Sequence, residues 1–271
     1  MTEPLIPALV AAVLAFVFGA LIGSFLNVVV WRVPQGLSIV RPASACPACG
    51  HEIAWYDNIP IVSWLVLRGR CRNCAAPISV RYPLVEAGTA IAFALVVWGA
   101  YGDLYPFALL PALLYWVAVG IALTLIDLDH HRLPNVIVLP SYIVTAALLL
   151  LASVLTGDYG RLISAAIGCV ALFGLYWLLA TAYRGGMGFG DVKLAGVLGM
   201  LLGWVGWPAL IVGAFAAFLL GGVVGGILMI GRRATRKSRI PFGPFMIAGA
   251  WVGIIAGSAI ADSYLTLTGL A

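Results

Sequence analysis

The chain has 271 residues, 63% of them hydrophobic and 9% charged, with a mean hydropathy of +1.09. Soluble domains carry about 45–50% apolar and about 25% charged residues, so the composition excludes a soluble globular domain, a disordered chain and a secreted disulfide scaffold. The formal charge of +5 and pI near 9.1 do not imply a nucleic-acid partner either, because a membrane topology accounts for them.

Eight runs reach or approach the ~20 apolar residues that a transmembrane helix needs: 6–31, 84–101, 107–126, 136–155, 162–183, 191–205, 208–230 and 243–260. The first lacks a basic leading region and an A-x-A cleavage site, and its apolar stretch is too long for a signal peptide, so it reads as an anchor. The expected fold is an all-α polytopic membrane protein of about eight transmembrane helices with a small cytoplasmic insert at 33–83. Arg32, Arg41, Arg68, Arg70, Arg72 and Arg81 lie in the first loop, Arg132 in the third, Arg184 and Lys193 at the fifth, and Arg232, Arg233, Arg236, Lys237 and Arg239 in the seventh. These are 14 of the 15 basic residues, and Arg161 is the exception. Odd-numbered loops share one side, and positive charge is retained in the cytoplasm, so both termini are expected outside. The cluster at 232–239 reads as a topology and lipid-headgroup feature, and Trp31, Trp204 and Trp207 read as interfacial anchors.

The insert carries Cys46-Pro-Ala-Cys49 and Cys71-Arg-Asn-Cys74, with 21 residues between the pairs. Two CxxC pairs at that spacing suit tetrahedral zinc, each offering two thiolates from a tight turn. Arg70 and Arg72 are placed to favour the thiolate form. Disulfides are rare in the reducing cytoplasm, and a closed four-sulfur shell leaves no position for water. One structural zinc, held by Cys46, Cys49, Cys71 and Cys74, is therefore expected. Cys169, alone in an apolar run, reads as packing.

Ionisable residues within a bilayer are functional candidates. Glu3, Asp103, Asp158 and Asp262 lie near the outer surface and Asp57 and Glu52 lie in the insert, which leaves Glu86, Asp127, Asp129 and Asp191. Asp127 and Asp129 point about 200° apart on a helix, so one alone faces a given cleft; Asp127, at the end of the apolar run, is the buried one. Asp191 follows Gly185-Gly186-Met187-Gly188-Phe189-Gly190. The flanking glycines admit positive φ and close approach, and an Asp at a helix start is also a routine cap. Because the third span exits where the sixth enters, Asp127 and Asp191 share one depth. Two carboxylates held close share a proton, so one takes a proton from water while the other donates to a scissile carbonyl. No G-x-S-x-G elbow, HExxH or phosphate-binding glycine loop competes with that reading. Gly19/Gly23, Gly199/Gly203 and Gly221/Gly225, like Ser24 and Asn27, read as close helix packing.

These residues resemble a known family. Gly188-Phe189-Gly190-Asp191 matches the GxGD signature of membrane aspartyl proteases. The D-x-D-x-x-x-L-P-N run at 127–135, the GSFLNVVVWRVP stretch at 23–34, the two CxxC pairs and Pro241-Phe242-Gly243-Pro244 together resemble bacterial type IV prepilin peptidases, over nearly the whole chain and in order. The resemblance implies a multi-pass inner-membrane enzyme of type IV pilus or type II secretion systems. Such enzymes cut the basic leader of prepilins and pseudopilins on the cytoplasmic side, after a glycine. It implies Asp127 and Asp191 as the catalytic pair, and N-methylation of the new terminus with S-adenosylmethionine as methyl donor. It also implies a division into 1–103 (first helix, cysteine loop and second helix, the methyltransferase part), 104–230 (the peptidase core) and 231–271 (basic loop and last helix). Glu86, Gly69 and Arg70 are candidates for the cofactor site, with Glu86 also readable as an acid favoured by the helix dipole in a first turn. The alternatives are a peptidase without methyl transfer, a proton-coupled transporter using the same Asp pair, and a non-catalytic factor that binds pilin-like helices.

Overall fold

A computed structural model of the chain describes residues 5–182, 187–231 and 240–269. The basic cluster at 232–239, Arg184, Glu3 and the Gly185-Gly186 pair lie outside the described residues. The described chain is helical, and apart from two isolated bridges in the insert it forms no strand. Seven of its helices are long and apolar enough to cross a membrane, and the protein is a multi-pass membrane protein. The chain divides into two compact units, Met1–Ala122 and Leu123–Ala271.

In the first unit, α1 (Leu5–Arg32) packs along α3 (Arg81–Tyr101). Gly19 and Gly23 form the seam: a Cβ on Gly19 would stand 2.9 Å from Ala90 Cα, and one on Gly23 2.7 Å from Glu86 Cα. Small residues permit this approach where bilayer lipid offers no hydrophobic drive for helices to associate. The Asn27 side-chain amide donates to the Tyr82 carbonyl at 3.2 Å. The insert between these helices contains one short helix, α2 (Val62–Val66), which the polar composition did not suggest. α4 (Leu110–His130) begins in this unit and ends in the next.

The second unit is built around α7 (Phe189–Val205). α7 touches α5 (Asn135–Thr156), α6 (Gly160–Ala182), α8 (Trp207–Ile230) and α9 (Gly243–Thr268). It corresponds to the sixth of the eight expected runs, yet at 17 residues it is the shortest of these helices and is not among the seven long enough to span, and most of its residues are buried by protein. Its approach to α6 is close enough that a Cβ on Gly199 would strike the Gly168 carbonyl. Gly221 and Gly225, by contrast, face the side chains of Phe242 and Ile240, so they accommodate side chains rather than a helix backbone. Trp204 is not an interfacial anchor: it is 1% exposed, and its indole N–H donates to Ser153 Oγ at 2.8 Å. A buried indole must find such a partner in a medium without water. Trp31 and Trp207 are exposed, as anchors are.

Candidate active site and metal centre

α4 ends in the sequence Ile126-Asp127-Leu128-Asp129-His130, and the helical phase separates its two acids. Asp127 is 4% exposed whereas Asp129 is exposed. Asp127 Oδ2 accepts the N–H of Gly243, the first residue of α9, at 3.0 Å. Asp191 is buried at 9% exposure. It is not the N-cap: α7 starts at Phe189 with Gly188 as cap, and Asp191 is the third helical residue. Its Oδ2 reaches back to accept the Gly188 N–H at 3.0 Å, satisfying one of the orphan donors of the first turn. Each carboxylate therefore has one oxygen fixed by a glycine N–H.

The glycines beside the two acids, Gly190 and Gly243, both pack against Leu133. Leu133 lies between their supports. A Cβ on Gly190 would come within 3.1 Å of Leu133 Cβ, and one on Gly243 within 3.2 Å of Leu133 Cδ2 and 2.8 Å of Asp127 Oδ2. Gly190 is thus required for room, not for positive φ, which neither it nor Gly188 adopts. Asn135 Oδ1 accepts from Lys193 Nζ at 3.0 Å, tying the start of α5 to the turn of α7 that follows Asp191. Gly243, Leu133 and Tyr176 were not singled out as site residues from sequence. Tyr176, 2% exposed, packs with Phe218 and Phe242, ring centroids 5.3 and 6.2 Å away.

In the insert the four thiols of Cys46, Cys49, Cys71 and Cys74 lie within 4.8 Å of one another, and Cys46 and Cys74 Sγ are 3.8 Å apart. A tetrahedral ion with metal–sulfur bonds of about 2.3 Å needs sulfurs about 3.8 Å apart. All five cysteines of the chain are free thiols, so the cluster fits a metal and not a disulfide pair. The two halves are built alike. Cys46 and Cys71 N–H donate to the His51 and Ala76 carbonyls, each at 2.9 Å. Their own carbonyls accept from Gly50 and Ala75, at 2.8 and 2.9 Å. Gly50 and Ala75 both take positive φ, +69° and +57°. The shifts in thiol acidity trace to backbone and amide donors, burial and the neighbouring thiols, not to Arg70 or Arg72. The His51 N–H, then the Asn73 amide, brings Cys49 down to about 6. At Cys74 the Ala76 N–H acts downward but is outweighed by Cys49, burial and the other thiols, and the group rises to about 11. Arg72 instead makes a two-pronged ion pair with Asp57 (2.6 and 2.7 Å), which holds that carboxyl below its usual range.

The three sequence candidates for the cofactor site are all engaged structurally. Glu86 lies beyond the first turn of α3, is 8% exposed, and accepts the Ile61 N–H at 2.7 Å and a hydrogen bond from Ser24. It is therefore not a first-turn acid. Gly69 (φ +66°) leaves space for the Trp64 indole, which would lie 2.9 Å from a Cβ there. Arg70 bridges to Pro77 in the second cysteine turn.

Residues 17–100 match the Bacterial Peptidase A24 N-terminal domain, and residues 112–228 match the Type IV leader peptidase family. A protein of Pseudomonas aeruginosa is 37% identical, over 98% of this chain and 99% of its own. One of Aeromonas hydrophila is 38% identical over 93% of each, and one of Neisseria gonorrhoeae 36% over 92% of each. All three are named prepilin leader peptidase/N-methyltransferase. No solved structure matches the chain. Full-length similarity at this level, together with the two matching domains, places the chain in the type IV leader peptidase family.

Proposed function

We propose that this protein is a membrane-embedded aspartic endopeptidase that removes the leader of type IV prepilins and pseudopilins after glycine. We further propose that it methylates the amine so exposed, using S-adenosylmethionine. The observation that carries the peptidase reading is the arrangement of Asp127 and Asp191: two buried acids, each with one oxygen held by a glycine N–H, beside glycines that both pack on Leu133. Their remaining oxygens can flank a single water. The ionised member takes the water's proton as the oxygen attacks the scissile carbonyl, and the protonated member donates to the carbonyl oxygen. Collapse of the tetrahedral intermediate returns a proton to the departing amine. The backbone donors of Gly188 and Gly243 fix both carboxylates before substrate arrives, which is where such a site gains over water.

Support for the methyltransferase activity comes from the names of the full-length relatives. S-adenosylmethionine supplies an electrophilic methyl group. Glu86, already holding Ile61 and Ser24, is a poor candidate to bind it. The cysteine cluster fits one structural zinc, since four thiolates close the shell. The distribution of arginine and lysine supports an inner-membrane protein with the aspartates and the insert cytoplasmic and both termini periplasmic.

Purified enzyme incubated with a prepilin, with and without S-adenosylmethionine, tests both activities by mass spectrometry of the product's N-terminus. Asp127→Asn and Asp191→Asn each abolish leader removal while insertion and thermal stability persist. Cleavage at the wild-type rate by either variant refutes the catalytic assignment. Markedly less than one zinc per chain in metal analysis refutes the structural zinc.

A further inference from the structure

The first unit buries a carboxylate that peptide hydrolysis does not use. Glu86 sits on membrane helix α3 at 8% exposure, where an acid is costly unless it has specific work. Its partners belong to two other segments: the Ser24 hydroxyl of α1, and the Ile61 N–H of the insert at 2.7 Å. Ile61 is an unusual residue to find there. Its φ of 63° and ψ of −52° place a β-branched side chain in the left-handed half of the map, which such residues avoid. Val62 N–H donates to the Pro60 carbonyl at 2.6 Å, so Ile61 is the centre of a strained γ-turn. Strain of this kind persists only where the surroundings impose it, and the group in contact with the strained amide is Glu86.

From that turn a short chain of contacts leads to the thiols. The γ-turn opens into α2 at Val62. The indole N–H of Trp64, in α2, donates to the Ile78 carbonyl at 3.1 Å, and its ring covers Gly69. Ile78 N–H in turn donates to the Gly69 carbonyl at 2.7 Å, beside the bridge between Arg70 and Pro77 that encloses Cys71 and Cys74. We propose that Glu86 is a positioning residue for methyl transfer, latching the cysteine insert to the membrane helices by holding the Ile61 turn. The statement rests on the methyltransferase reading above. The Gly23-Ser24 step gains a specific role from it: Gly23 lets α1 reach the Glu86 backbone, and Ser24 holds the carboxylate in place.

The test uses the full-length enzyme with Glu86→Ala, Glu86→Gln and Glu86→Ala combined with Ile61→Gly. Amide hydrogen exchange of residues 59–78 rises about tenfold or more in Glu86→Ala, as expected for loss of a buried hydrogen bond, while zinc content stays at the wild-type value. Methyl transfer falls by about tenfold with leader cleavage within twofold, through kcat rather than KM for the methyl donor. Glu86→Gln keeps an acceptor and restores most of the loss. Ile61→Gly takes positive φ without strain, so it reduces the effect of Glu86→Ala. Unchanged exchange in Glu86→Ala overturns the latch, and so does undiminished methyl transfer. Absence of methylation by the wild-type enzyme would instead refute the methyltransferase reading, and the exchange measurement would still decide the latch.

Discussion

Adding one methyl group at Gly243 tests how tightly the candidate site is held. Gly243 opens α9 and donates to Asp127 Oδ2 at 3.0 Å. A Cβ there would stand 2.8 Å from that oxygen and 3.2 Å from Leu133 Cδ2. Carbon and oxygen ordinarily approach to about 3.3–3.6 Å, so the carboxylate must retreat by roughly 0.5 Å and its backbone hydrogen bond must lengthen. Overpacking of this kind costs about 1–3 kcal/mol. A catalytic group misplaced by 1 Å loses about 100-fold in rate, so Gly243→Ala should slow leader cleavage by about 10-fold or more. The effect belongs in kcat, because the carboxylate acts on the reacting bond and not on distant parts of the substrate. The assay is leader removal from purified prepilin in detergent, alongside the thermal midpoint. Gly222→Ala is the control: its Cβ meets nothing within 4 Å, and helix propensity favours Ala by about 1 kcal/mol, so rate and midpoint should hold or improve. Wild-type turnover by Gly243→Ala with an unchanged midpoint would show that Asp127 is not fixed by α9 as described.

Four further outcomes are expected. Ala75→Gly should stabilise the second cysteine turn by about 1 kcal/mol and Gly50→Ala destabilise the first by a similar amount, because both positions have positive φ; zinc retention against a chelator measures both. In metal-stripped enzyme at pH 7, Cys49 should alkylate before Cys74, since their thiols are shifted to about 6 and about 11 and the thiolate is the reactive form. Zinc affinity should fall as pH falls, because each bound thiolate must first lose its proton, and mass-resolved alkylation with and without metal reads both effects. Ser153→Ala should strand the Trp204 indole N–H and cost about 1–2 kcal/mol in thermal stability, with leader cleavage unchanged in samples kept below the midpoint.

The apolar runs located the helices because crossing a bilayer requires long, nearly uncharged segments, and that requirement is local. The cysteine spacing was legible for the same reason, since each CxxC pair forms a turn of its own. The choice of Asp127 over Asp129 as the buried acid also needed only local information, the angle between helical residues and the end of the apolar run, and the burial of the two agrees with it. What sequence did not reveal depends on distant pairs. The donor to Asp127 is 116 residues away, and nothing in Pro241-Phe242-Gly243-Pro244 indicates which side chain that amide meets. Glu86 was misplaced by a similar limit, as its partner Ile61 lies in a short helix-turn segment whose polar surroundings concealed it. Trp204 failed as an anchor because aromatic residues at a span's end suit an interface and a buried partner equally well.

The two cysteine turns follow the same hydrogen-bonding plan, and each contributes half of the sulfurs. Neither half can complete a tetrahedral shell alone, so a single Cys→Ser exchange does more than delete one bond. It leaves the opposite hairpin without a counterpart, and the segment from Ala45 to Pro77 should open as a unit, with no half-formed state to retreat to.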